Sequence, residues 1–537
     1  MKGFFAQNLT LKLIANNKIE TSVLEKLDYI KVHKDTTSIN IEVHKISDYL
    51  KTLGYFTNTI HEIKKENKQY AAYFSLNNKI ENAIIKIRSG FEIYLKNFKI
   101  KNNTIIIPIK NLQNTLHEIS NNLDKIGASF SKVQLQNVTI KNKTLLADLD
   151  IIRSKKRIIN NVIIRGYENF PKSYLKNYFN INDSSVFNQF MVTEIDEASK
   201  NLRFVSIIKP PEVLFTKDST SLFLYFKKKQ HNSFDGIVSF TSKENGKVLF
   251  NGNVDLKLNN LLNKGEQFEL FWNSIGEERQ ELKLSSKTPY VFNSKFTPQI
   301  SFSIYKQDST FLNTKFDSKL FYNIAPRVKL AITYNSESSE NLNKINSNNL
   351  ETFNNHFLGL HLNYNIAKND FFFNDLFSIA INPSFGKRKT NQENSSQFKL
   401  EISASYLWSI NFRNSLFIKN STSYLNSNNY LDNELFRVGG ANSIRGFIEQ
   451  SIFTSSFSYI NMEYRFLTSQ KSYLYSITDF GKFKTNQKNE NLFSIGLGYL
   501  FTVRNAQINI STAMGKNSSQ KFDFNKSRLS VSWINFF

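Results

Sequence analysis

The chain has 537 residues, a formal net charge of +24 and a pI near 9.6, so an anionic membrane surface and nucleic acid are both admissible partners. It contains no cysteine, which excludes disulfide scaffolds, thiol nucleophiles and cysteine-ligated zinc or iron–sulfur sites. Mean hydropathy is −0.38, and the absence of any apolar run of about 18 residues excludes a membrane-spanning helix. It does not exclude a β-barrel, whose strands need only about 9–11 residues with every second one facing lipid.

Residues 1–7 of MKGFFAQNLT read as a leader: Gly3-Phe4-Phe5-Ala6 before Gln7 has the look of the end of a secretory signal. From Asn8 the chain repeats a unit of about 75 residues, with copies at 8–78, 79–156 and 157–230. The first opens with an alternating strand, Leu9-Thr10-Leu11-Lys12-Leu13, followed by two helical stretches. The second of these carries Ile46, Leu50 and Leu53 on one face and stops at Gly54. Strands at Thr59–Lys64 and Gln69–Leu76 close the unit. The second copy has a helix around Leu112–Ile126 and strands Val133–Ile140 and Thr144–Ile151. The third starts with Val162-Ile163-Ile164-Arg165-Gly166, continues through helices near Tyr174 and Val192–Leu202, and ends with strands at Val213–Phe215 and Leu222–Phe226.

This βααββ order, in tandem ahead of a β-rich half, resembles the POTRA domain; three unrelated small α+β domains are the alternative. Arg165-Gly166-Tyr167 stands where that family has a strand ending in a glycine turn, and Phe187-Asn188 precedes the long helix. The resemblance implies a receiving role, in which an extended peptide adds a strand to an exposed sheet edge through main-chain hydrogen bonds.

After Ser233 the helical period gives way to alternation, as in Phe398-Leu400-Ile402-Ala404-Tyr406-Trp408 and Ile495-Leu497-Tyr499-Phe501. Segments begin near Asp235, Lys247, Gly265, Glu278, Lys295, Phe311, Pro326, Asn355, Leu376, Gln397, Phe412, Ser456, Ser472, Asn491, Asn505 and Lys526. An even number of such segments fits a closed sixteen-stranded antiparallel transmembrane barrel over 231–537, which leaves no edge in lipid. The long polar connections, Ser336–Asn354, Lys387–Ser396, Leu425–Ser455, Gly481–Glu490 and Lys516–Asn525, all follow odd-numbered strands. Long loops therefore lie outside the cell and short turns, with the N-terminal repeats, in the periplasm.

The connection Leu425–Ser455 carries Val438-Gly439-Gly440-Ala441-Asn442-Ser443-Ile444-Arg445-Gly446-Phe447. It resembles the arginine–glycine–aromatic signature in the sixth surface loop of the BamA/TamA superfamily of outer-membrane assembly barrels. The resemblance implies that this loop folds into the lumen and that Arg445 meets acidic residues on the wall of the next two strands, at positions matched here by Glu463 and Asp479. Gly439, Gly440, Gly446 and Phe447 complete the motif, and terminal Phe537 closes an alternating last strand, Leu529-Val531-Trp533, of the kind that serves such barrels as an assembly signal. Three repeats rather than five point toward the TamA-like members. Asn535 on the lipid face is an oddity.

No enzyme is expected. Gly439–Gly446 lacks the Gly-Lys-Ser/Thr ending of a phosphate cradle, His61-Glu62 and His117-Glu118 lack the second histidine of a zinc helix, and no Gly-x-Ser-x-Gly elbow occurs. No metal or cofactor is therefore expected, and nucleic acid is not expected because Lys and Arg share strands with Glu and Asp. The resemblance implies a factor that inserts other barrels through a lateral seam between the first and last strands. On this reading the seam is Ile237, Val238, Ser239 and Phe240 against Val531, Ser532 and Trp533, with Val238 and Ser532 facing each other. Its partners would be outer-membrane lipid and lipopolysaccharide, unfolded outer-membrane protein clients, and a periplasm-spanning or lipoprotein partner. A two-partner-secretion pore is the alternative, although no plug helix is visible before Leu9; a passive porin would need neither repeats nor clamp.

Overall fold

The computed structural model describes residues 9–537 except 16, 68, 96, 183–184, 230–231, 243–247, 276–278, 343–348, 369–371, 373–374, 485–488 and 519–520. The side chains of 237–242, 248–251 and 275 also lie outside the description. Two compact units result, one built on the first two repeats and the other on the third repeat's sheet together with the barrel.

In the first unit each repeat lays a helix across a four-stranded sheet. Thr36–Thr52 is capped by Asp35, whose carboxylate accepts from Ser38 N at 2.7 Å, and it buries Ile39, Val43, Ile46 and Leu50 against Leu11, Leu13 and Phe74. Leu112–Lys125 buries Ile119 and Leu123 against Ile85, Ile87 and Leu149. In both sheets the opening and closing strands pair in parallel, Leu9–Ala15 beside Gln69–Ser75 and Asn82–Ile87 beside Thr144–Ile152. Each also gains a strand beyond βααββ, the two-residue Val32–His33 and Thr104–Pro108. In the second repeat the first helix is reduced to a 3-10 turn at Glu92–Tyr94.

In the second unit, the third repeat pairs Asn161–Arg165 parallel to Thr220–Lys228, with Val205–Phe215 at the sheet's edge. The barrel closes from sixteen antiparallel strands. They are β1 Ser233–Ser242, β2 Val248–Asn259, β3 Gln267–Ile275, β4 Arg279–Lys287, β5 Phe296–Gln307, β6 Phe311–Ala325, β7 Val328–Asn341 and β8 Phe353–Ala367. The second half is β9 Asp375–Thr390, β10 Asn394–Ser409, β11 Asn414–Asn426, β12 Ser456–Ser469, β13 Ser472–Lys484, β14 Asn489–Val503, β15 Ala506–Lys516 and β16 Arg528–Phe536.

Alternation sorts side chains between wall and lumen. Along β12, Ile460, Met462, Tyr464 and Phe466 are exposed on the outer face while Tyr459, Asn461 and Glu463 are buried within. Asn535, also outward, accepts from Trp533 Nε1 at 3.0 Å, which gives the polar side chain a partner on the apolar face. The expected Lys387–Ser396 loop is mostly strand, since β9 and β10 extend to a turn at 391–393. The third repeat packs on the short-turn end of the barrel. Tyr167 Oη donates to Asn263 Oδ1 at 2.7 Å and accepts from Asn260 Nδ2 at 2.8 Å, while Tyr174 meets Tyr290 edge-on at 4.8 Å.

Candidate functional site

The connection from β11 to β12 enters the lumen. It makes a 3-10 turn at Asp432–Glu434 and a small hairpin from Phe436–Val438 and Ile452–Thr454, whose tip carries the glycine-rich motif. Gly439 N donates to Ser443 Oγ at 2.7 Å and Gly440 N to Ile444 O at 3.1 Å, so the motif is a closed turn rather than an extended loop. Fully buried Ile444 anchors it among Val438, Tyr459, Phe483 and Leu492, with Phe447 packed against them.

That turn aims Arg445 at the wall. Its Nε donates to Asp479 Oδ2 at 2.9 Å and its Nη2 to Asp479 Oδ1 at 2.5 Å, while its backbone N donates to the same carboxylate at 2.9 Å. Nη1 donates to Glu463 Oε1. The Asp479 side chain is fully buried and the Arg445 side chain is 12% exposed, so the bidentate fork works where water competes little. Glu463 also accepts from Arg465 Nε at 2.8 Å, and the Arg465 guanidinium lies 4.1 Å from the Phe417 ring centroid. Two arginines thus flank one glutamate.

Gly446 has φ +79°, and a Cβ there would lie 2.6 Å from Met514 C and Gly515 N on β15. Only glycine permits both that backbone and that approach. Gly515 reciprocates, because a Cβ on it would strike the Phe447 ring at 2.6 Å. The structure therefore brings Arg445, Gly446, Phe447, Glu463 and Asp479 together.

Sequence reasoning missed the other attachments of this loop. Arg388 on β9 donates to Glu434 Oε1 at 2.5 Å, with side-chain exposures of 1% and 2%. Gln397 Nε2 donates to Glu434 Oε2 at 2.9 Å. Across the lumen, Arg279 Nη1 on β4 donates to Glu449 O at 2.8 Å, and Gln450 Nε2 to Glu281 Oε2 at 3.1 Å. The signal available for one of them was Glu434, an acidic residue set between Leu431 and Leu435 inside a loop. Among the described residues, no three His, Asp or Glu side chains are grouped to hold a metal ion.

The seam is the barrel's weakest join. Strands β1 and β2 pair over ten residues and β15 and β16 over eight, but β1 and β16 pair at Ser233 with Phe536 and Phe234 with Asn535, and nowhere else among the described residues. Phe537 N adds one hydrogen bond to Asn232 O at 3.0 Å. Pairing thus stops at the short-turn end. Val531 and Trp533 face outward, Ser532 is half-buried, and the side chains of Ile237, Val238, Ser239 and Phe240 lie outside the described residues. Continuing the observed register places Ser532 opposite Ile237 and Val531 opposite Val238, one residue away from the expected facing pair.

No family model and no curated protein sequence matches the chain. Among solved structures, CdiB from Acinetobacter baumannii superposes with a TM-score of 0.55 at 14% identity, over 92% of this chain and 97% of its own. CdiB from Escherichia coli gives 0.52 at 12% identity, over 92% and 98%. A crystal structure of BamA from Haemophilus ducreyi lacking POTRA domains 1–3 gives 0.45 at 13%, over 84% and 99%. The two CdiB structures show, at this level of identity, that the chain shares their fold: N-terminal α+β repeats leading into a closed sixteen-stranded barrel.

Proposed function

We propose that this chain is a BamA/TamA-type assembly factor of the bacterial outer membrane, which inserts β-barrel clients through the β1–β16 seam without catalysis or a cofactor. The observation that carries the reading is the seam, where two residue pairs join strands whose other neighbours hold eight or ten. An unpaired strand edge is a template for another strand, and here it borders lipid in a barrel whose lumen is crossed by its own loop. On this reading the repeats lie in the periplasm and receive unfolded outer-membrane proteins by edge pairing. Lipid and lipopolysaccharide surround the barrel, and a periplasm-spanning or lipoprotein partner engages the repeats. A TamA-like role belongs to the same proposal.

Export of a protein through the lumen, as in two-partner secretion, is the second reading. It requires the loop holding Arg445 and Glu434 to leave the lumen, whereas seam insertion leaves it in place. Depleting the protein and profiling the outer membrane separates them: general loss of barrel proteins supports insertion, and loss of one secreted protein with barrels intact overturns it.

A further inference from the structure

Two of the polar cavities in the second unit differ in charge balance. One is bounded by Glu281, Glu337, Glu401 and Glu434 against Lys315, Lys399 and Arg437, so its cations are matched by carboxylates. The other, about 420 Å³, lies at the short-turn mouth of the barrel beneath the third repeat. Its wall carries Arg203, Lys287, Lys319, Arg327 and Lys329 against the single carboxylate of Asp375.

That carboxylate is already taken, since Arg203 Nη2 lies 3.1 Å from Asp375 Oδ2. Arg327 has its own partner in Glu197 at 3.7 Å. Lys287, Lys319 and Lys329 have no carboxylate within 4.0 Å among the described residues, though each is half-buried. Lys287 Nζ sits 4.8 Å from the centroid of the Phe321 ring. His361 stands edge-on to the same ring, and its Nδ1 is buried with no hydrogen-bond partner. Like charges held together in a partly dry space repel, and a buried ring nitrogen without a partner is costly. Both penalties are relieved by an anion that accepts from several donors at once.

We propose that this cavity binds a small polyvalent oxyanion of the phosphate class, held by Lys287, Lys319, Lys329 and His361. The charge excess decides the class. Phosphate or pyrophosphate concentrates two or more negative charges in a volume the cavity can hold, and lysines bind it as point charges. An acidic peptide spreads its carboxylates about 3.3 Å apart along a strand and brings backbone groups that would themselves need partners. The inference goes beyond the proposed function, because it holds whether clients leave by the seam or by the lumen.

The test titrates inorganic pyrophosphate into the full chain in phosphate-free detergent micelles by calorimetry, beside the triple variant Lys287→Gln, Lys319→Gln, Lys329→Gln. The expected result is one saturable site whose affinity falls by at least about tenfold in the variant, with pyrophosphate raising the melting temperature of the parent alone. The variant should fold, since among the described residues the lysines it replaces hold no ion pair, and circular dichroism checks this. Repeating the titration in vesicles of phosphatidylcholine with phosphatidic acid separates the sources: competition by phosphatidic acid assigns a lipid headgroup, and its absence assigns a free anion. No saturable binding, equal binding by the variant, or binding of an acidic peptide but not pyrophosphate would overturn the proposal.

Discussion

Arg445 presents a planar fork to Asp479, a third N–H to Glu463 and its backbone N–H to Asp479 again, so its loss leaves two wall carboxylates facing one another. Breaking a buried pair from one side costs about 3–5 kcal/mol, and the 12% exposure of the Arg445 side chain sets the expectation at the lower end. Arg445→Ala should therefore insert but unfold at lower temperature on heat-shift gels, with Arg445→Lys in between because a point charge cannot reproduce the fork. Unchanged heat resistance in Arg445→Ala would remove the clamp from the account. Gly446→Ala tests the backbone beside it: with φ +79° and β15 at 2.6 Å, it should lower the same transition although it removes no hydrogen bond. Arg445, Glu463 and Asp479 were legible in the sequence through the loop motif's resemblance to the arginine–glycine–aromatic signature, which implies this trio, while alternation with Met462 and Tyr464 put Glu463 on the lumen face. Arg465 and Gly515 were not, since their roles depend on which strand the loop reaches.

The loop between β11 and β12 is an element with two ionic anchors. Arg388 and Glu434 are nearly fully buried, so Arg388→Gln leaves Glu434 without its cation and Glu434→Gln leaves Arg388 only the half-exposed Glu393 at 3.5 Å, while Arg388→Gln with Glu434→Gln leaves neither buried charge. The double variant should be more stable than either single, and in a double-mutant cycle the pair should couple by at least about 1 kcal/mol. A cysteine at Ser427, buried at 9% exposure beside this anchor, should label slowly in the parent and faster in Glu434→Gln. Equal labelling rates would mean that the anchor does not hold the loop. The open sheet edges of the repeats, which the proposal takes as receiving edges, divide as well. Val205–Phe215 is an edge strand carrying Pro210 and Pro211, which lack the N–H groups that pairing needs, whereas Thr59–Glu66 and Lys132–Lys141 carry no proline. Clients should photo-crosslink to those two strands and not to the segment around Pro210; crosslinks confined to Pro210's strand would contradict this.

Across the whole molecule, the long connections lie at one end of the barrel and the third repeat packs at the other. Cysteines placed within 342–352 should label from outside intact cells, and one in Lys132–Lys141 should not; label on the repeat would invert the topology. The strand starts were legible to within about three residues because a barrel wall imposes strict alternation on every strand. The 3-10 turn at Glu92–Tyr94 was not, because helical spacing in a short stretch does not settle which hydrogen bonds form. A seam between the first and last strands was expected from the resemblance, but how few of its residues pair was not legible, because β1 and β16 each alternate well enough to pair along their whole length.

The seam carries the functional proposal, and locking it tests that proposal most directly. Cysteines at Ile237 and Ser532, opposite one another when the register of Ser233 with Phe536 is continued, meet no native thiol in this chain. Oxidised, the barrel should keep its fold and surface labelling yet lose client insertion, measured as the rate at which a purified unfolded barrel protein becomes heat-modifiable in vesicles containing it. A reductant should restore the rate. Undiminished insertion by a fully crosslinked barrel would contradict the account and leave the lumen as the route.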